Sequence, residues 1–153
     1  EAVREAVKAG LALDLPAPGE PSDGGDIRAL PVAPGTWLLM GPRGRHAWLV
    51  GKLAAATGGA ASLVDQSMGR VVLRVAGSRA RDVLAKGRRL DLHPRAFGPG
   101  GVAVTPIAHV TVTLVQVDAT PTFDLLVPAS YAETFLDWLL EAAAEHGADL
   151  ERL

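Results

Sequence analysis

The chain has 153 residues, 48% of them apolar and 21% charged, enough for a single domain with a sizeable core, since about 70% of the unfolded surface is buried at this length. Its 15 basic and 17 acidic residues give a net charge of −2, without the basic excess that a nucleic-acid binder needs. Cysteine is absent, which excludes disulfides, a thiol nucleophile and thiolate metal sites, and no apolar run approaches the roughly 20 residues that cross a bilayer. The sequence opens at Glu1 with no Met and no signal-peptide pattern. Its natural start is therefore expected upstream, and a cytoplasmic location is expected.

Residues 1–26 are predicted to form an N-terminal arm, Pro/Gly-rich and largely irregular. One or two helical turns fit residues 1–9, where Val3 and Val7 stand four apart. Residues 15–25 hold three prolines and three glycines, a composition that rules out a regular element. A single compact α+β domain is expected over 27–147, with a tail over 148–153.

Within that domain, residues 27–30 and 37–40 read as strands around a Pro34-Gly35 turn. Pro42 suits a helix start through its fixed φ. The helix predicted over 43–57 places Val50, Leu53, Ala54 and Thr57 on one face and stops at Gly58-Gly59. Gly51 inside it costs about 1 kcal/mol relative to Ala.

A short strand is expected at 63–65 and a clearer one at 70–76, where Val71, Leu73 and Val75 alternate with Val72 and Arg74. Ser78 is a candidate cap for a helix over 79–86. Ala80, Val83 and Leu84 face inward there, and Gly87 is the expected left-handed stop. After an irregular stretch over 88–101, strands are predicted at 102–107, 110–117 and 123–127, the last two joined by Asp118-Ala119-Thr120-Pro121. Ser130 and Glu133 form the pattern of a capping box. The helix behind it carries Phe135, Leu136, Leu139, Leu140 and Ala143 on one face and ends at Gly147. The order β-α-β-β-α-β-β-β-α implies an α+β fold, an antiparallel sheet packed with helices.

The chemistry-bearing residues are sparse. His46, His93, His109 and His146 share no metal-ligand spacing. Asp91-Leu92-His93 places a carboxylate two residues from an imidazole, yet Ser67 and Ser78, the nearest candidate nucleophiles, lie in no Gly-x-Ser-x-Gly elbow. Gly98-Pro99-Gly100-Gly101 precedes a strand, the reverse of a dinucleotide fingerprint. Gly41-Pro42-Arg43-Gly44-Arg45 opens a helix but lacks the Gly-Lys-Ser/Thr of a phosphate loop. Arg79, Arg81, Lys86, Arg88, Arg89 and Arg95 cluster, while acids gather in 124–151. The cluster is either a solvated face or a partner surface, since arginine is enriched at interfaces. Trp138, one position past the Phe135/Leu139 stripe, is a candidate anchor.

These residues also carry a resemblance. Val64-Asp65-Gln66-Ser67, Arg70, Leu73-Arg74, Gly77, Ala80-Arg81, Val83-Leu84-Ala85-Lys86-Gly87 and Leu90-Asp91-Leu92-His93-Pro94-Arg95-Ala96-Phe97 resemble the gamma subunit family of heterotetrameric sarcosine oxidase. So do Trp37-Leu38-Leu39 with Gly41-Pro42, Phe123-Asp124-Leu125 with Pro128, and Trp138-Leu139-Leu140-Glu141-Ala142-Ala143. The likeness spans about residues 29–147 and is most specific over 83–97.

The resemblance implies a fold similar to the folate-binding module of glycine-cleavage aminomethyltransferases. It implies partner alpha, beta and delta subunits carrying NAD and tetrahydrofolate, FAD and FMN, and zinc respectively. The complex would demethylate sarcosine oxidatively to glycine, with folate taking the methylene, and this chain would bind no cofactor and contribute no catalytic residue. Its interface candidates are Arg88, Arg89, His93, Arg95, Phe97 and Trp138. Thr36, Met68-Gly69 and Arg88-Arg89 depart from the family's usual wording, which leaves the amine open between sarcosine, dimethylglycine, an N-methylated proline and other secondary amines. The alternative is a stand-alone folate-binding or one-carbon-carrier protein on the same module.

Overall fold

The computed structural model describes residues 1–87 and 90–151. It divides into two units, Glu1–Met68 and Gly69–Leu153, where the sequence led us to expect one compact domain over 27–147.

In the first unit, α1 (Ala2–Leu11) leads through the proline-rich stretch to a three-stranded antiparallel sheet, followed by α2 (His46–Thr57). The sheet consists of β1 (Ser22–Gly24), β2 (Ile27–Ala33) and β3 (Thr36–Met40) in that order. Residues 1–26 are accordingly not an irregular arm. Val7, Leu13 and Leu15 are buried with Ile27, Ala29, Leu49 and Leu53 in one cluster. The stretch 15–25, expected to hold no regular element, contributes β1 at its end, and the prolines before it are ordered by distant groups: Trp37 Nε1 donates to the Pro16 carbonyl at 2.9 Å, and Arg4 both reaches that carbonyl and lies over the Trp37 ring. Gly10 lets α1 approach α2, because a Cβ there would stand 2.8 Å from the Ala56 Cβ.

The buried stripe of α2 is Leu49, Leu53 and Thr57; Leu53 and Thr57 were expected on it, but Leu49 takes the place of Val50, and Val50 and Ala54 are exposed. The helix ends as anticipated, with Gly58 left-handed and its N–H on Ala54. No strand forms at 63–65. There the Asp65 carboxylate accepts the Ser67 backbone N–H at 2.8 Å, a local turn that competes with strand pairing.

The second unit is a four-stranded antiparallel sheet, β4-β7-β6-β5, built from β4 (Arg70–Ala76), β5 (Val102–Ile107), β6 (Val110–Asp118) and β7 (Thr122–Pro128). Paired residues share a face of an antiparallel sheet. The registers Leu73↔Leu125, Leu114↔Leu125 and Ile107↔Val110 therefore put these side chains on one side. On that side lie α3 (Ala80–Ala85) and α4 (Ala132–Ala143), and the shared core holds Val83, Leu84, Val112, Leu114, Phe123, Leu125, Val127, Phe135 and Leu139. Antiparallel sheet layered with helices agrees with the fold class expected from the sequence.

Three local signals resolved differently. Ser78 does not cap α3: Arg79 holds the N-cap position, with no side-chain bond, and Ala80 N–H closes a turn on the Gly77 carbonyl. Ser130 and Glu133 form no capping box, because a 3-10 turn over Ala129–Tyr131 precedes α4 and satisfies its entry from the backbone. Gly87 is not left-handed. Its requirement is steric. A Cβ there would stand 2.4 Å from the Trp138 ring and 3.0 Å from the Ala108 nitrogen, while the Gly87 carbonyl accepts the Ala108 N–H at 2.9 Å.

Gly87→Ala is therefore expected to destabilise the chain by about 1–3 kcal/mol through overpacking, measured by denaturant unfolding. Gly87→Ala/Trp138→Leu should recover part of that loss, because it removes the colliding ring. Equal stability of Gly87→Ala and the parent chain would contradict this account.

Candidate functional site

Residues 90–97, the second half of the stretch 83–97 that carries the most specific wording, lead from α3 towards β5 without regular structure. Its backbone groups must therefore find partners outside a helix or sheet. Arg81 serves two of the carbonyls. From α3 its guanidinium donates to the carbonyls of Leu92 and Phe97 and, at 3.0 Å, to Gln116 Oε1 on β6, and it lies 5.2 Å from the Phe123 ring centre. Gln116 is buried and completes its own bonding by donating Nε2–H to the Asp118 carbonyl at 2.9 Å. Leu92 and Phe97 are thereby drawn into the core. Arg81 belongs to the internal framework; the sequence offered one weak signal of this, its placement one residue from inward-facing Ala80.

Asp91 and His93 come close, but not as a catalytic pair. The Asp91 carboxylate accepts the backbone N–H of His93 at 2.8 Å, and His93 Nδ1 accepts the Arg95 N–H at 3.2 Å. The His93 carbonyl accepts from Ala96 and Phe97 at 2.8 and 2.9 Å. Both side chains thus shape a turn. Asp91, His93 and Arg95 are exposed. Phe97 is buried and, contrary to its place among the interface candidates, is a core residue. Trp138 is half-buried, 5.5 Å from the Phe135 ring and tight against Gly87. Arg88 and Arg89 lie outside the described residues.

Other charges are tied locally. Arg74 on β4 binds Asp124 on β7 through two bonds of 2.7 and 2.8 Å, and that bidentate contact holds the guanidinium pKa above its ordinary range. Arg79 pairs with Asp82. Lys86 donates to the Ala142 carbonyl at the end of α4 and to Glu145, each at 2.5 Å. The hydrogen bond from Lys86 and its charge hold the Glu145 carboxyl below its ordinary value. At the start of α2, Arg45 pairs with Asp26 at 3.0 Å and stacks 4.3 Å from the Trp48 ring centre. Among the described residues, no group of three or more His, Asp or Glu is arranged to hold a metal ion.

The family model described as sarcosine oxidase, gamma subunit family, matches residues 1–145. The chain belongs to that family. It is 34% identical to sarcosine oxidase subunit gamma of Arthrobacter sp. over 115 residues, which is 74% of this chain and 55% of that protein. It is 33% identical to the subunit of the same name in Corynebacterium sp. strain P-1 over 119 residues, 77% of this chain and 57% of the relative. The chain thus spans about half the length of these curated relatives. Among solved structures it is similar to a chain of the heterotetrameric sarcosine oxidase from Corynebacterium sp. U-96, in complex with pyrrole 2-carboxylate. That likeness has a TM-score of 0.87 and 29% identity and covers 99% of this chain and 78% of the other.

Two outcomes follow. Arg81→Met should cost about 2 kcal/mol, because it leaves buried acceptors without a charged donor. Amide exchange over 92–101 should rise before that of β6 and β7, and unchanged exchange there would refute the clamp. Glu145 has its folded value depressed below 4.5, so its contribution is complete above 4.5 and is lost as pH falls through the folded value. Amides around 144–146 should therefore loosen on acidification ahead of global unfolding, and Glu145→Gln should abolish that pH dependence.

Proposed function

We propose that the chain acts as the small, non-catalytic gamma subunit of a heterotetrameric sarcosine-oxidase-type flavoenzyme, assembling with alpha, beta and delta subunits. The complex oxidatively demethylates sarcosine or a related N-methyl amine, to glycine or the corresponding demethylated amine, and tetrahydrofolate accepts the methylene. FAD, FMN, NAD, folate and zinc reside on the other subunits. Family membership supports the identity of the subunit. One observation carries the non-catalytic role: in Asp91 and His93, the pair that most resembled chemistry in the sequence, Oδ1 and Nδ1 each accept a backbone N–H of their own turn, and the carboxylate is spent on the His93 backbone N–H. A catalytic imidazole instead needs a partner that orients the ring toward a reacting atom.

The partner surface proposed from the sequence loses Phe97 to the core and Arg81 to the clamp. Exposed His93 and Arg95 retain that role, with Arg88 and Arg89 close to them in sequence, and half-buried Trp138 remains a candidate beside Gly87.

Co-expression with alpha, beta and delta subunits should give one complex containing this chain by native mass measurement. His93→Ala should leave kcat for amine oxidation within about twofold, since surface changes rarely perturb more, whereas Arg95→Glu should reduce the yield of assembled complex. A chain that purifies alone and never co-elutes with flavoprotein subunits would overturn the proposal. A His93→Ala complex that assembles but loses turnover would return the histidine to catalysis.

A further inference from the structure

The four-stranded sheet has two outer strands, and they differ in how their free edges are protected. Natural sheets shield such edges with proline, bulges, charges or short strands, because a free edge templates pairing with another chain. β5 carries Pro106, which has no N–H to offer. β4 has neither proline nor bulge, and its one charge unpaired among the described residues, Arg70, stands at its first position. Its sequence Arg-Val-Val-Leu-Arg-Val-Ala holds neither proline nor glycine, and its register with β7 runs unbroken from Arg70↔Pro128 to Ala76↔Thr122.

Alternate residues of β4 turn their N–H and C=O groups away from β7. Among the described residues, no turn or loop hydrogen bond reaches 71–76. Val71 and Val72, on opposite faces of the strand, are 37% and 41% exposed. Arg74 does not guard the edge, since Asp124 on β7 binds it. Arg70 is different: among the described residues it has no acidic partner, and its Nε is buried without an acceptor.

We infer that the free edge of β4 is a docking site for an extended segment of a partner subunit, which adds a strand beside 70–76 and brings an acidic side chain to Arg70. The inference rests on the gamma-subunit proposal above. Main-chain bonds supply affinity in this mode, and side chains on alternate residues supply specificity. A second copy of the same strand is a poor occupant. It contains no acid, so self-pairing brings no carboxylate to Arg70.

The test uses the full chain co-expressed with alpha, beta and delta subunits. Val72→Lys and Arg70→Glu should each lower recovery of the complex about tenfold. Val104→Lys, an equivalent change at a 45% exposed position on β5, should not. In the parent complex, amides across 71–76 should all be protected from hydrogen exchange, including those that face away from β7. Assembly indifferent to Val72→Lys, equal loss with Val104→Lys, or fast exchange at alternate β4 amides would each overturn the inference while leaving the subunit proposal standing. Protection of β4 in a dimer of this chain alone would replace the partner with a second copy and overturn it as well. Failure of the parent chain to assemble at all would instead remove the subunit proposal and the edge inference with it.

Discussion

In the C-terminal unit, the close approach of Gly87 to Trp138 sets the geometry on which the rest depends. The end of α3 comes so near the α4 tryptophan that no side chain fits between them. The same stretch holds both of its neighbours. The Gly87 carbonyl accepts from Ala108 in the β5–β6 turn, and Lys86 donates to the last turn of α4. That turn is a two-residue connection with Ala108 and His109 both at positive φ, the conformation whose twist suits a tight hairpin. Neither residue is glycine, so the backbone is held there at some steric cost. The glycine contact is one of the ties that hold it.

With α3 placed, Arg81 can reach across to the segment after it. That segment follows neither helix nor sheet geometry, and its carbonyls would be costly to bury unbonded. One guanidinium serves two of them together with Gln116. A planar fork of donors is suited to such convergence in a way an ammonium is not. The functional consequence is a division of labour among the basic residues. Arg81, Lys86 and Arg74 are internal ties, whereas Arg95 and Arg70 have no ion pair among the described residues and are the ones proposed above as partner contacts. Charge that looked like one surface patch in the sequence is thereby separated into framework and candidate contact.

Much of the architecture was legible. The alternation in 110–117, the apolar stretch after Phe123 and the Phe135/Leu139 stripe depend on local periodicity, and the strands and the last helix lie where that periodicity put them. Signals that depend on a single polar side chain fared worse. Ser78 and Ser130 had the right chemistry for caps, but neighbouring backbone groups satisfied the helix entries first. The N-terminal stretch looked irregular because prolines prevent repetition. Its order comes from Trp37, more than twenty residues away, bonding to a proline carbonyl.

The sequence by itself determined the family and the α+β class, because each is written in residue types and short spacings. Only the tertiary structure decided what those residues do. The packing of α4 on α3 makes Gly87 a contact and not a helix stop. The reach of Arg81 to Leu92, Phe97 and Gln116 turns a surface-looking cluster into a clamp. Asp91 and His93 become turn formers through backbone bonds. The strand order leaves β4 at an edge. These outcomes depend on distances between groups remote in sequence or on where a backbone N–H points, and neither is encoded in a local pattern of residue types.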